Sequence, residues 1–288
     1  MIVGRTIAEC REHRARLEGP VALVPTMGAL HAGHVSLIEA AKRRAAHVVA
    51  SVFVNPTQFG PREDFNKYPR PIEDDLRKCD EAGVALVFNP SVEEMYRPSL
   101  VPITIEMPQL SGVLEGKHRP GHFAGVCQVV AKLLNIIRPN VAVFGQKDYQ
   151  QFRVIQAMVD ALDWPIDVFM CPTVRERDGM AMSSRNQYLS SDERERALAI
   201  SRALFLAQGE VKAGVKQANR LTALMQNTLL DPGKLGRVPV AVDYVAAVDP
   251  MTFKGVELVT GPTLLAIAAR VGTTRLIDNV IVTPENAT

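Results

Sequence analysis

Up to about residue 170, short runs of β-branched and other apolar residues alternate with longer segments whose apolar positions recur at helical spacing. Val21 to Val24, His47 to Val54, Val84 to Phe88, Val141 to Phe144 and Ile166 to Met170 are too short for helices and read as buried strands. Between them, residues 35–46, 71–82, 123–137 and 149–162 read as amphipathic helices. In the third, Val126, Val129, Val130, Leu133, Leu134 and Ile137 form one stripe, Lys132 lies off it, and Pro139 ends the helix. Such a face packs against a sheet.

Strand and helix in alternation predict an α/β fold, a doubly wound parallel Rossmann-like sheet whose ligands collect at the carboxyl ends of its strands. After about Thr173 the pattern changes to a loop of mixed charge. Helical stretches follow, from Ser191 to about Gln208 and from Gln217 to Leu230, then a turn signal at Pro232-Gly233. The end of the chain is β-rich: Val240 to Val248, Val256 to Val259, Leu264 to Val271 and Arg275 to Val282 predict a small sheet under those helices. The expected division is therefore residues 1–173 and a smaller α+β carboxyl-terminal domain over residues 174–288.

Composition agrees with compact domains: 47% apolar, 22% charged, and 19 each of Gly and Pro in 288 residues. The 33 basic and 31 acidic side chains are interspersed and leave a formal charge of +2, which excludes a strong field for a nucleic-acid backbone and favours small substrates. The apolar run Ala45 to Val54 is interrupted by His47 and Ser51 and is far shorter than the ~20 residues of a membrane span. Arg5, Glu9, Arg11, Glu12 and Arg14 stand where a signal peptide needs an apolar core, so a cytoplasmic enzyme is expected. Cys10, Cys79, Cys127 and Cys171 have no metal-ligand or redox spacing and read as reduced thiols.

Loops after strands carry the candidate chemistry. The strand at Val21 to Val24 runs into Pro25-Thr26-Met27-Gly28-Ala29-Leu30-His31-Ala32-Gly33-His34, and a helix follows. A helix start carries unpaired N–H groups and partial positive charge, which attract phosphate. Gly28 and Gly33 let backbone approach a ligand, and His31 and His34 sit where both imidazoles can face it and donate to an oxygen whose charge grows during transfer. Ordinary loop histidines are the plain alternative; a metal site lacks a third ligand at recognisable spacing. Neither the Gly-Lys-Ser/Thr phosphate loop nor the three-glycine dinucleotide fingerprint is present, so ATP would be held another way.

The loop after Val54 supplies Asn55-Pro56-Thr57-Gln58, then Glu63-Asp64-Phe65 and Tyr68-Pro69-Arg70. Asn55 and Gln58 either read the hydroxyl and carboxylate of a small acid or simply form an Asn-Pro turn. Gly145-Gln146-Lys147-Asp148 follows the strand at Val141 to Phe144, with Asp148 a candidate cap and Lys147 a phosphate ligand or a solvated lysine. Gln151 lies one helical turn on. In Arg175 to Asn186, Ser183 and Ser184 offer hydroxyls and Arg185 a fork matched to phosphate, or the stretch is a charged linker.

Together these motifs resemble those of the pantothenate synthetase family, nearly end to end: residues 25–34, Phe53 to Phe59, Phe144 to Gln151 and Met182 to Asn186, in that order. The His-x-Gly-His element is similar to that of a wider nucleotidyltransferase superfamily. Met180 departs from the usual leucine, and Cys127-Gln128 also differ, without removing a polar group the chemistry needs. The resemblance implies an ATP-dependent ligase that joins pantoate to β-alanine through a pantoyl adenylate, releasing AMP and pyrophosphate, with Mg²⁺ on the triphosphate. By that resemblance Met27, Gly28, Ala29, Leu30, His31, Ala32, Gly33, His34, Gly145, Gln146, Lys147, Asp148, Val174, Met182, Ser183, Ser184 and Arg185 surround ATP. Gln58 and Gln151 take pantoate, with Gln58 also near β-alanine. His34 is the acid-like group with His31 its partner, while Lys147, Ser183, Ser184 and Arg185 stabilise charge. Arg119 and His122 fall near the substrates. Asp74 and Asp75 are metal candidates or solvated helix caps. A homodimer and a hinged carboxyl-terminal lid are further implications. The rivals are an adenylyl- or cytidylyltransferase acting on a phosphate substrate, and a non-catalytic nucleotide- or RNA-binding protein.

Overall fold

A computed structural model describes residues 1–61, 63–231 and 240–284. The turn expected at Pro232-Gly233 lies outside the described residues. The chain forms two compact units: Met1–Gly112, Arg119–Gln146 and Gln150–Pro172 make the first; Val113–His118, Lys147–Tyr149 and the chain from Thr173 onward make the second.

In order, the chain forms β1 (Ile2–Gly4), α1 (Ile7–Ala15), β2 (Val21–Thr26), α2 (Ala32–Lys42), β3 (His47–Val52), α3 (Ile72–Glu81), β4 (Leu86–Phe88) and three short helices, α4 (Val92–Met95), α5 (Pro108–Ser111) and α6 (Leu114–His118). Then come α7 (His122–Ile137), β5 (Val141–Gly145), α8 (Tyr149–Ala161), β6 (Asp167–Cys171), α9 (Ser191–Lys212), α10 (Ala218–Leu230), β7 (Val240–Val248), β8 (Thr263–Val271) and β9 (Thr274–Val282).

The first unit is a six-stranded parallel sheet in the order β1-β4-β3-β2-β5-β6. Alternation along its strands sorts the core. Val21, Leu23 and Val49 pack with α1, α7 and α8 on one face, whereas Ala22, Val24 and Ala50 pack with α2 and α3 on the other. Leu23, Leu86, Phe88, Leu134, Ile137 and Ile155 are fully buried, each stabilising by roughly 1.5–3 kcal/mol. From β2 the chain steps through β3 to β4 on one side, then returns to place β5 on the opposite side of β2. That reversal makes the carboxyl ends of β2 and β5 the switch-point crevice where open sheets bind ligands.

The second unit is an antiparallel sheet β7-β8-β9 with α9 and α10 on it, Leu204, Leu221, Met225 and Ile267 at the centre of its core. A bulge between Val242 and Tyr244 turns Asp243 toward Arg275, whose guanidinium also takes both oxygens of Glu115 at 2.6 and 2.8 Å. Tyr244 Oη donates to Glu115 at 2.9 Å, so α6 is clamped to this sheet by buried charge.

Several boundaries differ from the sequence expectation. Helix α2 begins at Ala32, three residues before Val35, and α9 continues to Lys212. Val256 to Val259 is not a strand: Val256 N–H bonds to Ala247 while Glu257 and Val259 bond to the 216–218 segment, so its backbone groups are divided between two neighbours and no ladder forms. The unanticipated α1 is announced by a capping box, in which Glu9 N–H donates to Thr6 Oγ1 and Thr6 N–H to Glu9 Oε2.

Candidate active site

Strand β2 ends at Thr26, whose hydroxyl donates to Ser51 O at 2.7 Å and accepts from Gly28 N–H at 3.2 Å. The chain then turns through two residues of positive φ, Gly28 at 83° and Ala29 at 50°. Ala29 carries a side chain there, which costs on the order of 1–2 kcal/mol. Asp75, on α3 and 1% exposed, offsets that cost: its two carboxylate oxygens accept Ala29 N–H at 2.8 Å and Leu30 N–H at 2.7 Å, and Lys78 Nζ donates to Leu30 O at 2.6 Å. A Cβ on Gly28 would come within 2.8 Å of Asp75 Oδ2, so glycine is required by position as well as by φ. Burial raises the Asp75 carboxyl above its ordinary value despite these two backbone donors.

His31 is the N-cap of α2, and the two histidines form a reciprocal capping box. His31 Nδ1 accepts from Gly33 N–H at 3.1 Å, and His34 Nδ1 accepts from His31 N–H at 3.3 Å. A neutral imidazole whose Nδ1 accepts carries its proton on Nε2. Both rings, with centroids 4.1 Å apart, are therefore locked in the tautomer that offers an Nε2–H donor without needing net positive charge. The early start of α2 produces this arrangement, because it puts His31 and His34 at the N-cap and third positions of the helix rather than in a loop before it.

The loop after β3 is a short 3₁₀ turn, Pro56–Gln58, pinned from inside. Asn55, 1% exposed, donates to Gln58 Oε1 at 3.2 Å and Gly125 O at 3.1 Å, and its Oδ1 accepts from Thr57 N–H, Thr57 Oγ1 and Tyr96 Oη. Its hydrogen-bonding capacity is filled. Of the two alternatives the sequence leaves for Asn55, its bonds are those of the residue that shapes the turn. Gln58 is 8% exposed and differently placed: its Nε2 donates to Met27 Sδ at 2.8 Å, a weak acceptor. Gln58 and Met27 thus meet, while Gln151 is half-buried on the first turn of α8.

Gly145 and Gln146 continue from β5 in the first unit. Lys147 belongs by its contacts to the second unit, where Asn279 Nδ2 donates to its carbonyl at 2.9 Å. Its side chain is 19% exposed, with Nζ 3.7 Å from Asp148 Oδ1, so it is not a fully solvated lysine. Asp148 stands in a 3₁₀ turn leading into α8. A recess of the second unit is lined by Lys147, Met180, Ser183, Ile200 and Asp278 among others. The segment around it is braced: Arg175 forks onto Asp278 at 2.6 and 3.1 Å, Met182 N–H bonds to Val174 O, and Asn186 Nδ2 bonds to Glu176 and to Ala181 O. Ser183 caps the 3₁₀ turn Ser184–Tyr188 by accepting from Arg185 N–H. The segment is thus an ordered, cross-braced loop rather than a flexible linker.

Neither acid of the Asp74-Asp75 pair is placed to hold a metal. Asp74 pairs with Arg77 and Lys78 on the surface, and both oxygens of Asp75 are committed to backbone. Among the described residues no three His, Cys, Asp or Glu side chains group as a metal site. No described helix is long and apolar enough to cross a membrane. All four cysteines are buried free thiols.

A histidine-capped helix at the switch point of a parallel sheet places the chain among α/β proteins whose ligand crevice favours an anion without a phosphate loop. The sequence profile of the pantoate-β-alanine ligase family matches residues 2–281. The chain is 51% identical to a pantothenate synthetase of Acidobacterium capsulatum, over 91% of this chain and 85% of that one, and 50% identical to that of Thermobifida fusca, over 98% and 96%. The crystal structure of pantothenate synthetase from Thermus thermophilus superposes with a TM-score of 0.91 at 43% identity, covering 99% of this chain and all (100%) of that one. The pantoate-β-alanine ligase of Francisella tularensis, complexed with β-γ ATP and β-alanine, matches with a TM-score of 0.80 at 33% identity over 98% and 97% of the two chains. The chain belongs to the pantoate-β-alanine ligase family.

Proposed function

We propose that this chain condenses pantoate with β-alanine at the expense of ATP through a pantoyl adenylate. A pantoate carboxylate oxygen attacks the α-phosphorus, a new O–P bond forms, and the bond to pyrophosphate breaks. The β-alanine nitrogen then attacks the acyl carbon, loses a proton, and AMP leaves with the carboxylate oxygen. No covalent enzyme intermediate is needed, so the side chains position reactants and take up charge. The observation that carries this reading is the histidine capping box, whose Nδ1 hydrogen bonds leave the imidazole protons on Nε2 at the start of α2, a position that favours negative charge.

In this reading His34 is the main donor to the departing phosphate oxygen and His31 its partner, with Lys147, Ser183, Ser184 and Arg185 stabilising charge. The nucleotide contacts include Met27 to His34, Gly145 to Asp148, Val174 and Met182 to Arg185. Gln58 and Gln151 hold pantoate, and Gln58 also borders β-alanine. Ala29 and Leu30 contribute shape rather than amide donors, because Asp75 already takes their N–H groups. Mg²⁺, when bound, shields the triphosphate. Such a hard cation keeps phosphate oxygens and water and needs only one or two carboxylates, a role available to Asp148, 47% exposed beside Lys147. A cytoplasmic homodimer completes the proposal.

The test is stepwise. ATP and pantoate alone are expected to release pyrophosphate to the extent of bound adenylate, with full turnover to AMP only after β-alanine is added. His34→Ala and Lys147→Ala are each expected to slow adenylate formation by at least ~10²-fold with the fold intact. Release of ADP, or turnover of a phosphorylated substrate instead, rejects the reading in favour of a phosphate-directed nucleotidyltransferase.

A further inference from the structure

The three-residue turn that carries Gln58 is too short to hold itself, yet Gln58 is the side chain that must meet substrate with a defined aim. Its main-chain carbonyl is held from the first residue of α7 and the turn before it. His122 Nδ1 lies 2.8 Å from Gln58 O, and Arg119 Nη2 donates to the same oxygen at 3.4 Å. Arg119 Nη1 is 3.1 Å from His122 Nε2. Arginine has donors only, so Nε2 accepts and the imidazole proton sits on Nδ1, the geometry that donates to Gln58 O. Both groups depend on the orientation of one guanidinium.

Glu63 sets that orientation. Its Oε1 accepts Arg119 Nε at 2.7 Å and its Oε2 accepts Arg119 Nη2 at 2.7 Å, a bidentate fork with side-chain exposures of only 12% for Arg119 and 25% for Glu63. Glu63 is itself anchored by its N–H to Gly60 O at 3.0 Å. We propose that Glu63 is a positioning residue for the ligation, acting through Arg119 and His122 to fix the main chain of Gln58 and so the aim of its amide. Glu63 touches no reacting atom. The proposal rests on the reading of Gln58 as the pantoate contact and adds a device remote from it, which ties a loop carboxylate to substrate affinity.

The experiment uses the full chain and initial rates of AMP formation, varying pantoate, β-alanine and ATP in turn, with a thermal melt of each variant. Glu63→Gln keeps size but removes the charge and one acceptor of the fork. It is expected to raise KM for pantoate and β-alanine roughly tenfold, the scale of one lost hydrogen bond, while KM for ATP stays within about twofold. Gln58→Ala is expected to raise KM for pantoate by itself, and adding Glu63→Gln to it is expected to change that KM no further, because the two act in series. Additive effects, or Glu63→Gln effects spread equally over all three substrates in step with a lowered melting temperature, overturn the proposal while leaving Gln58 in place. An unchanged pantoate KM in Gln58→Ala overturns the reading of Gln58 and the proposal with it.

Discussion

Gly125 of α7 faces the Pro56–Gln58 turn at a distance no side chain permits. A Cβ placed there would lie 2.2 Å from Thr57 O, 2.5 Å from Thr57 C and 2.7 Å from Gln58 N, all backbone atoms. A carbon approaches a carbonyl oxygen to about 3.3 Å, so the turn must retreat by about 1 Å. It is not free to do so, because Asn55 Nδ2 is bonded to Gly125 O at 3.1 Å and to Gln58 Oε1 at 3.2 Å. Helix propensity alone favours alanine by about 1 kcal/mol, whereas overpacking costs about 1–3 kcal/mol and a strained Asn55 bond about 1 more. Overpacking therefore wins, and Gly125→Ala is expected to lose about 1–3 kcal/mol net and to lower the melting temperature by several degrees. Displacing Gln58 by about 1 Å is expected to lower kcat/KM for pantoate by about 10²-fold. Gly209 of α9 is the control: a Cβ there meets nothing within 4 Å, so Gly209→Ala is expected to gain about 0.4–1 kcal/mol with unchanged kinetics. Thermal melts and pantoate-dependent rates of both variants decide the matter, and a Gly125→Ala protein that melts higher and turns over normally refutes the reasoning.

Asp75→Asn leaves one carbonyl oxygen for the Ala29 and Leu30 amides and turns an NH₂ group toward the other, a loss of about 1–3 kcal/mol for the buried donor. At least ~10-fold slower adenylate formation is expected, and an unaltered rate would remove Asp75 from the positioning of the histidine loop. Burial pushes the thiols of Cys10, Cys79 and Cys127 up to about 11 and also raises Cys171, so a thiol reagent at neutral pH is expected to label the native protein slowly and all four residues rapidly in denaturant. Fast labelling of the native chain contradicts the buried placement. Burial acts to raise the Glu63 carboxyl, but the hydrogen bonds and charge of Arg119 outweigh it and leave it below its ordinary value of 4.5. A depressed folded value means stability that is present above 4.5 and lost as pH falls through the folded value, so the stability difference between wild type and Glu63→Gln is expected to shrink below that pH in denaturant titrations. A difference that grows on acidification reverses the sign of the argument.

The parallel sheet was legible because the strands of the first unit other than the edge strand β1 are short, largely apolar runs alternating with helical periods, and Val21 to Val24 pack to the two faces in turn. The placement of the histidine loop was legible because a strand, a glycine and a helix start follow one another in the sequence, as they do in the fold. What the sequence withheld is of one kind: partners distant along the chain. Asp75 looks like an exposed cap from its acidic neighbours, and only folding brings it to Ala29, 46 residues earlier. Asn55 and Gln58 are chemically alike and three residues apart, yet Tyr96 and Gly125 saturate one and leave the other pointing at a thioether. Val256 to Val259 has strand composition without a strand, since side-chain pattern reports burial and not which backbone groups find a ladder. Lys147 stands two residues past the end of β5 but keeps company with Asn279, 132 residues later, through a bond to its carbonyl that no side-chain motif records. Motif chemistry therefore marks candidate groups, whereas the contacts that fix the loops around them, at Asp75, Glu63 and Gly125, join residues far apart in sequence and become visible only in the fold.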